Sequence, residues 1–238
     1  MEPRFYGAGL PKCDVASLSG HLIVIEGADG VGRSTHIELL QGWLEGHGFA
    51  VATTGLVRSE LTQKGIEMAK EGHSFDRTTM SLFYATDLAD RVENEIMPAL
   101  RSGFVVLADR YIFTTMARGA ARGLDHDWLS RLYGFALAPE RIFFLRIDPD
   151  ELIRRTLRRG GELDYWESGR DIGLAPDLYS SFRQYQALIL KEFDRQAERY
   201  AFTTIDASRA VEDVQSDLRR ELAAMLDPSL LDAVDAAD

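Results

Sequence analysis

Several features are scarce in this sequence of 238 residues, and each scarcity argues against a class of protein. Cys13 is the single cysteine, which leaves no intramolecular disulfide and no cysteine-based zinc site. No run of eighteen apolar residues occurs, and residues 1–20 lack an apolar core, so we expect neither a membrane span nor a secretory signal. Acidic residues (38) outnumber basic ones (27), which argues against a nucleic-acid polymer as partner. These absences favour a cytoplasmic protein.

What the sequence does contain is an alternation of short apolar runs and amphipathic stretches. The apolar runs suit strands buried on both faces and lie at residues 21–26, 49–54, 104–108, 141–147 and 201–205. Patterns of helical period lie between and after them, at residues 34–46, 59–71, 77–100, 112–121, 127–138, 149–159, 179–200 and 210–225. Strands that alternate with helices predict an α/β fold with a parallel sheet covered on both faces.

Composition divides the chain into three parts. Residues 1–20 mix Pro, Gly and Ser with little periodicity and are interpreted as an N-terminal extension. Residues 21–226 carry the alternating pattern without a linker or repeat, so we expect one domain. Residues 227–238 form an acidic tail without lysine or arginine, which we expect to be solvated and frayed.

A glycine-rich turn follows the first strand. It fits the phosphate-binding pattern G-x-x-x-x-G-[basic]-[Ser/Thr], in which backbone N–H groups and a helix N-terminus point at phosphate oxygens. The basic side chain is expected to reach the transferring phosphate, and the hydroxyl to bind Mg²⁺. The residues predicted to bind ATP here are Gly27, Ala28, Asp29, Gly30, Val31, Gly32, Arg33, Ser34 and Thr35. The alternative is a glycine-rich turn without a ligand.

A second group of polar residues stands where the strand at 104–108 ends. Asp109 and Arg110 follow this strand directly, and ligands of open α/β sheets bind beyond the carboxyl ends of the strands. A carboxylate there can hold Mg²⁺ together with Ser34, and an arginine can bind an acceptor phosphate with two hydrogen bonds. The alternative for this pair is a local salt bridge.

Four stretches resemble the thymidylate kinase family of P-loop nucleoside monophosphate kinases in order and spacing. They are HLIVIEGADGVGRST, LFYATDLADRVENEIMPAL, FVVLADRY and RRGGELDYWESG, and the resemblance runs from about residue 20 to about residue 222. It implies a five-stranded parallel sheet flanked by helices, of P-loop NTPase type, with a mobile lid at about residues 154–176. It also implies ATP with Mg²⁺ as donor, dTMP as the acceptor that becomes dTDP, and a homodimer.

The resemblance also assigns roles to residues. Asp29 and Arg33 act in the phosphate turn, Arg110 holds the acceptor phosphate, and Tyr84, or less readily Phe83, stacks on the acceptor base. The turn with Asp206 and Ser208 lies near the donor adenine. The residues implied in acceptor binding are Asp29, Arg58, Tyr84, Leu88, Arg110, Tyr111, Thr115, Arg118 and Glu167.

Outside the lid, four positions depart from the family pattern. Position 33 is Arg where Lys is usual, which keeps the charge but adds a larger, planar group. Leu88 stands where the family has an arginine that reads thymine, with Arg91 one turn further as a possible substitute. Arg118 replaces an aromatic that disfavours a ribose 2′-hydroxyl, and Arg58 is the one candidate for the family's loop arginine. Two alternatives therefore stay open: a kinase for another nucleotide or nucleoside, and a nucleotide-binding regulator without catalysis.

The predicted lid begins with a cluster of arginines. The cluster precedes two glycines that can act as hinges and consists of Arg154, Arg155, Arg158 and Arg159. We predict that one or two of them stabilise the transferring phosphoryl group. Since Tyr165 stands where the family often has an arginine, Arg155, Arg158 or Arg159 is the expected catalytic residue. The alternative is a solvated basic helix end.

Overall fold

A computed structural model describes residues 4–11, 13–72, 75–158, 163–231 and 234. Its centre is a sheet of five parallel strands in the order β2-β3-β1-β4-β5, which confirms the predicted α/β fold. The strands are β1 (His21–Gly27), β2 (Val51–Gly55), β3 (Val105–Asp109), β4 (Arg141–Arg146) and β5 (Thr203–Asp206). Because all five run in the same direction, their carboxyl ends form one edge.

Helices cover both faces of the sheet. They are α1 (Arg33–Gly46), α2 (Gln63–Gly72), α3 (Arg77–Arg91), α4 (Met97–Arg101), α5 (Ile112–Ala121), α6 (His126–Leu132), α7 (Pro149–Arg158), α8 (Leu178–Tyr200) and α9 (Val211–Leu226). A π-helical turn, Val92–Ile96, joins α3 to α4. Asp76, Asp125 and Asp177 cap α3, α6 and α8 by accepting hydrogen bonds from first-turn N–H groups.

Two predicted helices are shorter than expected. The pattern at 127–138 predicted one helix, but α6 ends at Leu132 because the backbone beyond it pairs with the N-terminal segment: Tyr6 N–H donates to the Ala136 carbonyl. The pattern at 59–71 begins as a loop, and α2 starts only at Gln63. In this loop, Asp87 accepts a hydrogen bond from the Ser59 N–H, which stabilises the backbone before α2.

The core lies on both faces of the sheet because strand side chains alternate. In β1, Leu22 and Val24 point to the face covered by α3, α5 and α8, while Ile23 and Ile25 point to the face covered by α1, α7 and α9. All four side chains are buried, as expected for a central parallel strand. This packing fixes the strand ends from which the site is built.

Both terminal segments contact the domain. The Tyr6 ring lies 6.1 Å from Phe113 and 5.3 Å from Tyr200, and Leu18 is buried. Val234 is also buried, so the expectation of a wholly solvated tail is wrong at this residue. Among the helices of the described residues, none is both long and apolar enough to cross a membrane.

Candidate active site

The glycine-rich turn and Asp109 lie side by side because β1 and β3 are neighbours in the sheet. Ile25 of β1 is in register with Asp109 of β3, so the turn that starts at Gly27 passes over the end of β3. Gly30 and Gly32 have φ values of +80° and +107°, which residues with a Cβ rarely adopt. The sequence therefore forms a tight turn that exposes backbone N–H groups before α1 begins at Arg33.

Arg33 points inward, under the turn. Its Nε donates to Asp109 Oδ1 at 2.7 Å and its Nη1 to the Gly27 carbonyl at 2.5 Å, while 9% of the side chain is exposed. In this conformation the side chain therefore binds Asp109 and the Gly27 carbonyl, and its contact with the transferring phosphate stays a prediction. The fork shape of guanidinium allows it to bind a carboxylate and a backbone carbonyl at the same time.

Ser34 and Asp109 form a pair of oxygen donors at the mouth of the turn. Ser34 Oγ donates to Asp109 Oδ2 at 3.2 Å, so both oxygens of Asp109 are engaged, one by Ser34 and one by Arg33. A hydroxyl and a carboxylate fit Mg²⁺, which prefers oxygen ligands and keeps most of its shell for phosphates and water. The described residues hold no group of three or more His, Cys, Asp or Glu that could enclose a metal ion.

Asp29 is the centre of an arginine cluster. It pairs with Arg110, with Arg118 at 2.9 Å and with Arg33 at 3.8 Å. Residues from the turn, the end of β3 and α5 are thus brought together, although 89 positions separate Asp29 from Arg118. Arg110 Nε is buried and forms no hydrogen bond to the described residues, so the guanidinium keeps one unsatisfied donor. This arrangement is suited to a second anion beside Asp29.

Glu26 anchors the backbone beside Arg110, and the sequence analysis missed it. Its fully buried carboxylate accepts the N–H groups of Tyr111 (2.9 Å) and Thr114 (3.2 Å) and also the Thr114 hydroxyl. Burial raises the pKa of Glu26, while the hydrogen bonds from Thr114 and Tyr111 lower it. A glutamate inside the apolar run HLIVIE was the available signal, because a buried carboxylate needs dedicated donors.

The charges of the cluster change the pKa values of its members. Burial lowers the pKa of Arg110 to about 9, with Arg118 as the next cause, so the guanidinium remains charged at neutral pH. Burial raises the pKa of Glu167, against the lowering effect of Arg118 and Arg110. A desolvated cation gains from an anion placed beside it, so this cluster favours binding of a phosphate group.

A cavity of about 160 Å³ opens next to the cluster. Four residues that the sequence analysis assigned to acceptor binding line it: Tyr84, Thr115, Arg118 and Glu167. The lining residues that the sequence analysis missed include Arg77, Met80, Ser81, Arg122, Trp166 and Asp171. They come from α3, the residue after α5 and the segment after α7, so no local motif joins them.

Two of the residues assigned to acceptor binding, Leu88 and Tyr111, have side chains buried in the core. Leu88 is 1% exposed and packs in the core on the α3 and α5 side of the sheet, so it does not line the cavity. The Tyr111 side chain is fully buried in the same core, and only its N–H faces the site, toward Glu26. Arg91 cannot replace a base-reading arginine in this arrangement because it is fully buried and bound to Asp87 at 3.0 Å.

The remaining predicted residues lie around the edge of the sheet. Arg58 is exposed and lies over Gly55 at the end of β2. Asp206 accepts from Ser208 N–H at 2.9 Å, which forms a tight turn after β5. Arg155 Nη1 and Nη2 donate to the carbonyls of Ala207 (2.8 Å) and Ser208 (2.9 Å), so Arg155 is bound to that turn.

The other lid arginines differ in their surroundings. Arg154 is paired with Glu151 at 2.8 Å on the surface of α7, and Arg158 is exposed at the end of this helix. Arg159 lies outside the described residues. Arg155 is therefore bound to the turn after β5, whereas Arg158 is an exposed cation near the start of the predicted lid.

Comparison with known proteins gives consistent matches. The family model for thymidylate kinase matches residues 25–218. A probable thymidylate kinase 2 of Saccharolobus solfataricus is 39% identical over 214 residues, which are 90% of this chain and 100% of the relative. A thymidylate kinase of Clavibacter michiganensis subsp. michiganensis is 33% identical over 216 residues, 88% of this chain and 97% of the relative. A probable thymidylate kinase of Thermococcus gammatolerans is 31% identical over 209 residues, 84% and 94% of the two chains. The chain therefore belongs to the thymidylate kinase family.

Proposed function

We propose that this chain transfers the γ-phosphoryl group of ATP to dTMP, giving dTDP and ADP for nucleotide biosynthesis. The observation that carries this proposal is the contact between the phosphate-binding turn and the arginine cluster: Asp29, inside the turn, pairs with Arg110 and Arg118. A donor triphosphate on the turn and an acceptor phosphate on the cluster meet end to end, as phosphoryl transfer requires. Membership of the family supports the same reaction.

On the donor side, the ATP phosphates bind the N–H groups of residues 27–35. Ser34 and Asp109 are the residues that would hold Mg²⁺, which neutralises charge on the phosphates when it is bound. We propose that Arg33 exchanges the Asp109 carboxylate for phosphate oxygens when the donor binds. Asp206 and Ser208 then border the adenine, with Arg155 bound to the same turn.

On the acceptor side, Arg110 binds the phosphate of the monophosphate. Its pairing with Asp29 of the phosphate-binding turn and its position after β3 support this role. The nucleoside occupies the cavity, with Tyr84 and Thr115 on the side of the base and Arg118 and Glu167 on the side of the sugar. Arg58 lies over the end of β2 and is a further cation on the acceptor side of the sheet's carboxyl edge.

The reaction needs no general base in this proposal. The acceptor's phosphate oxygen is already ionised near neutral pH, so it attacks the γ-phosphorus in line while the bond to the ADP oxygen breaks. The protein contributes position and positive charge through Arg33, Arg110 and a lid arginine, Arg158 or Arg159. Charge stabilisation of this kind typically contributes about 10²- to 10³-fold in rate per donor.

The test is a coupled assay of ADP formation with dTMP, dUMP, dCMP, dAMP and dGMP in parallel. We expect turnover that depends on the acceptor and is fastest with dTMP. If none of these monophosphates stimulates ATP turnover, the proposal is wrong. ATP binding without such turnover would instead identify a nucleotide-binding regulator.

A kinase with another preferred base is the second candidate. The observation that favours it is the burial of Leu88, together with the buried pair of Arg91 and Asp87, which leaves neither position able to supply the family's base-reading arginine. A side chain that hydrogen-bonds the base can discriminate between substrates by several orders of magnitude in kcat/KM. A site without this side chain is therefore less selective for the base. Comparable kcat/KM values for dTMP and dCMP would support this candidate.

We also propose that the protein forms a homodimer in the cytoplasm. Exposed apolar side chains on the side of α2 and α3 support an interface, with Leu61, Met68 and Leu82 the most prominent. Sedimentation equilibrium would give twice the mass of the chain, 26.7 kDa. The single domain at 21–226, with its extension and tail, is part of the same proposal.

A further inference from the structure

Arg122, the residue that follows α5, connects three parts of the molecule. Its Nε and Nη2 donate to both carboxylate oxygens of Asp171, at 2.7 Å and 3.1 Å, and Nη2 also donates to the Trp166 carbonyl at 3.1 Å. Its Nη1 donates to the Arg118 carbonyl at 3.3 Å and to the hydroxyl of Tyr185 in α8. One guanidinium therefore joins α5, α8 and the segment 164–171.

The surroundings of Arg122 make this junction rigid. Its side chain is 12% exposed, and the guanidinium carbon lies 4.9 Å from the centre of the Tyr185 ring and 5.9 Å from that of Trp166. A two-pronged bond between guanidinium and carboxylate fixes direction as well as distance. Cation–π contacts on a desolvated arginine strengthen the attachment further.

The segment 164–171 forms the outer wall of the acceptor cavity. Asp164, Trp166, Glu167 and Asp171 line the cavity from this segment. Trp166 Nε1 donates to the Lys70 carbonyl of α2 at 3.2 Å, so the wall spans the cavity from α8 to α2. The position of Glu167 beside the arginine cluster therefore depends on how the segment is held.

The attachments of the wall are mainly polar. Gln186 donates to the Glu167 carbonyl at 2.8 Å, and Ser181 donates to the Ser168 carbonyl at 2.7 Å, both from α8. Arg122 is the charged attachment and directly follows α5, the helix that carries Arg118. Loss of the two charge-assisted hydrogen bonds between Arg122 and Asp171 is expected to loosen the segment more than loss of one neutral hydrogen bond.

We propose that Arg122 is a positioning residue for the acceptor: it fixes the segment 164–171 as a wall, and thereby holds Glu167 and Trp166 against the bound monophosphate. This inference rests on the proposed function for its substrate. It also separates the predicted lid into two roles, because residues 164–171 belong to the acceptor site, whereas Arg155 is bound to the turn after β5 on the donor side.

The kinetic test compares R122Q and R122K with R131Q, a control at an exposed arginine of α6. We expect the KM for dTMP to rise about 10- to 100-fold in R122Q and less in R122K, since a lysine keeps the charge but not the fork. The KM for ATP should change less than about 2-fold, in keeping with a site-specific effect. An equal rise in both KM values, or no rise for dTMP, would overturn the proposal.

A second measurement needs no substrate. In a W43F/W128F background Trp166 is the remaining tryptophan, and its quenching by acrylamide reports the exposure of the wall. R122Q and D171N should increase quenching similarly, and the double variant should add little, because both remove one interaction. Circular dichroism confirms that the variants fold, and unchanged quenching in folded R122Q would contradict the inference. If wild-type protein phosphorylates no monophosphate, the proposed function fails, while the quenching result still decides whether Arg122 holds the wall.

Discussion

The two halves of the sheet's carboxyl edge are built in different ways. The proposed donor half is one continuous turn, residues 27–34, whose backbone N–H groups would bind phosphate and whose shape depends on glycines. The acceptor half consists of side chains from α3, the end of β3, α5 and the segment after α7. A site made of backbone tolerates substitution of its side chains, whereas a site made of side chains can select its ligand. If the proposed division holds, the reaction type and the substrate preference are encoded in different parts of this chain.

Replacement of Arg110 by alanine should give the largest effect on activity, and this effect should be confined to the acceptor half. We expect kcat/KM for dTMP to fall about 10³-fold, because a charge-assisted, desolvated contact to phosphate is lost. The dissociation constant of ATP should stay within about 3-fold of wild type. Steady-state kinetics and calorimetric titration measure the two quantities, with R131A as control. Equal losses for donor and acceptor would remove Arg110 from the acceptor half.

Replacement of Arg33 by alanine tests the donor half. We expect kcat to fall about 10²-fold, because a cation near the transferring phosphoryl group is removed. The dissociation constant of dTMP should change little. R33K should restore part of the rate, since a lysine supplies the charge but lacks the planar fork that binds Asp109 and the Gly27 carbonyl through separate nitrogens. A large loss of dTMP affinity in R33A would break the proposed division between the halves.

Replacement of Glu26 by glutamine should weaken both the fold and the acceptor half. A glutamine presents an amide NH₂ to the N–H donors of Tyr111 and Thr114, which would cost about 1–3 kcal/mol in unfolding free energy. Urea denaturation measures this loss, and the KM for dTMP should rise because Arg110 adjoins Tyr111. The matched control is E140Q, since Glu140 accepts the Leu22 N–H at 2.8 Å near the opposite end of β1. A similar rise in KM for E140Q would show that the effect is not local.

The smallest expected effect is a pH dependence in the donor half. Burial, and then Arg155, lowers the pKa of His36, which lies under Gly32 and contacts Gln215. Because folding disfavours protonation of His36, the contribution of this residue to the free energy of unfolding is fully present above its unfolded-state pKa of about 6.5. This contribution is lost as the pH falls below that value. One group contributes at most about 1.4 kcal/mol per pH unit. Urea denaturation at pH 7.5 and 5.5 should show less pH dependence in H36Q, and no such change in H47Q, where the histidine is exposed.

The sequence analysis predicted what depends on neighbouring residues. The apolar runs gave all five strands, and α5 begins and ends where its pattern predicted. The phosphate turn was recognisable because its glycines are adjacent. The inward orientation of Arg33 was not predictable, because it depends on Asp109, 76 positions away.

The acceptor half was harder to predict for the same physical reason. Tyr84 and Leu88 are one helical turn apart, so periodicity places both on the same side of α3. Tertiary packing decides that one lines the cavity and the other is buried in the core. The bond between Arg122 and Asp171 spans 49 positions and leaves no local pattern, so only the folded chain identifies it.

Arg110 has a φ of +70°, a conformation that disfavours residues with a Cβ by roughly 1–2 kcal/mol. The strand end needs this bend to direct the guanidinium toward Asp29, and Glu26 stabilises the bend through the next N–H. Folding alone would favour glycine at this position, so catalysis and thermostability place opposite demands on one residue. Directed evolution for heat resistance without selection for activity should therefore reach R110G readily, and R110G should melt at a higher temperature than R110A, with the same loss of kcat/KM for dTMP in both.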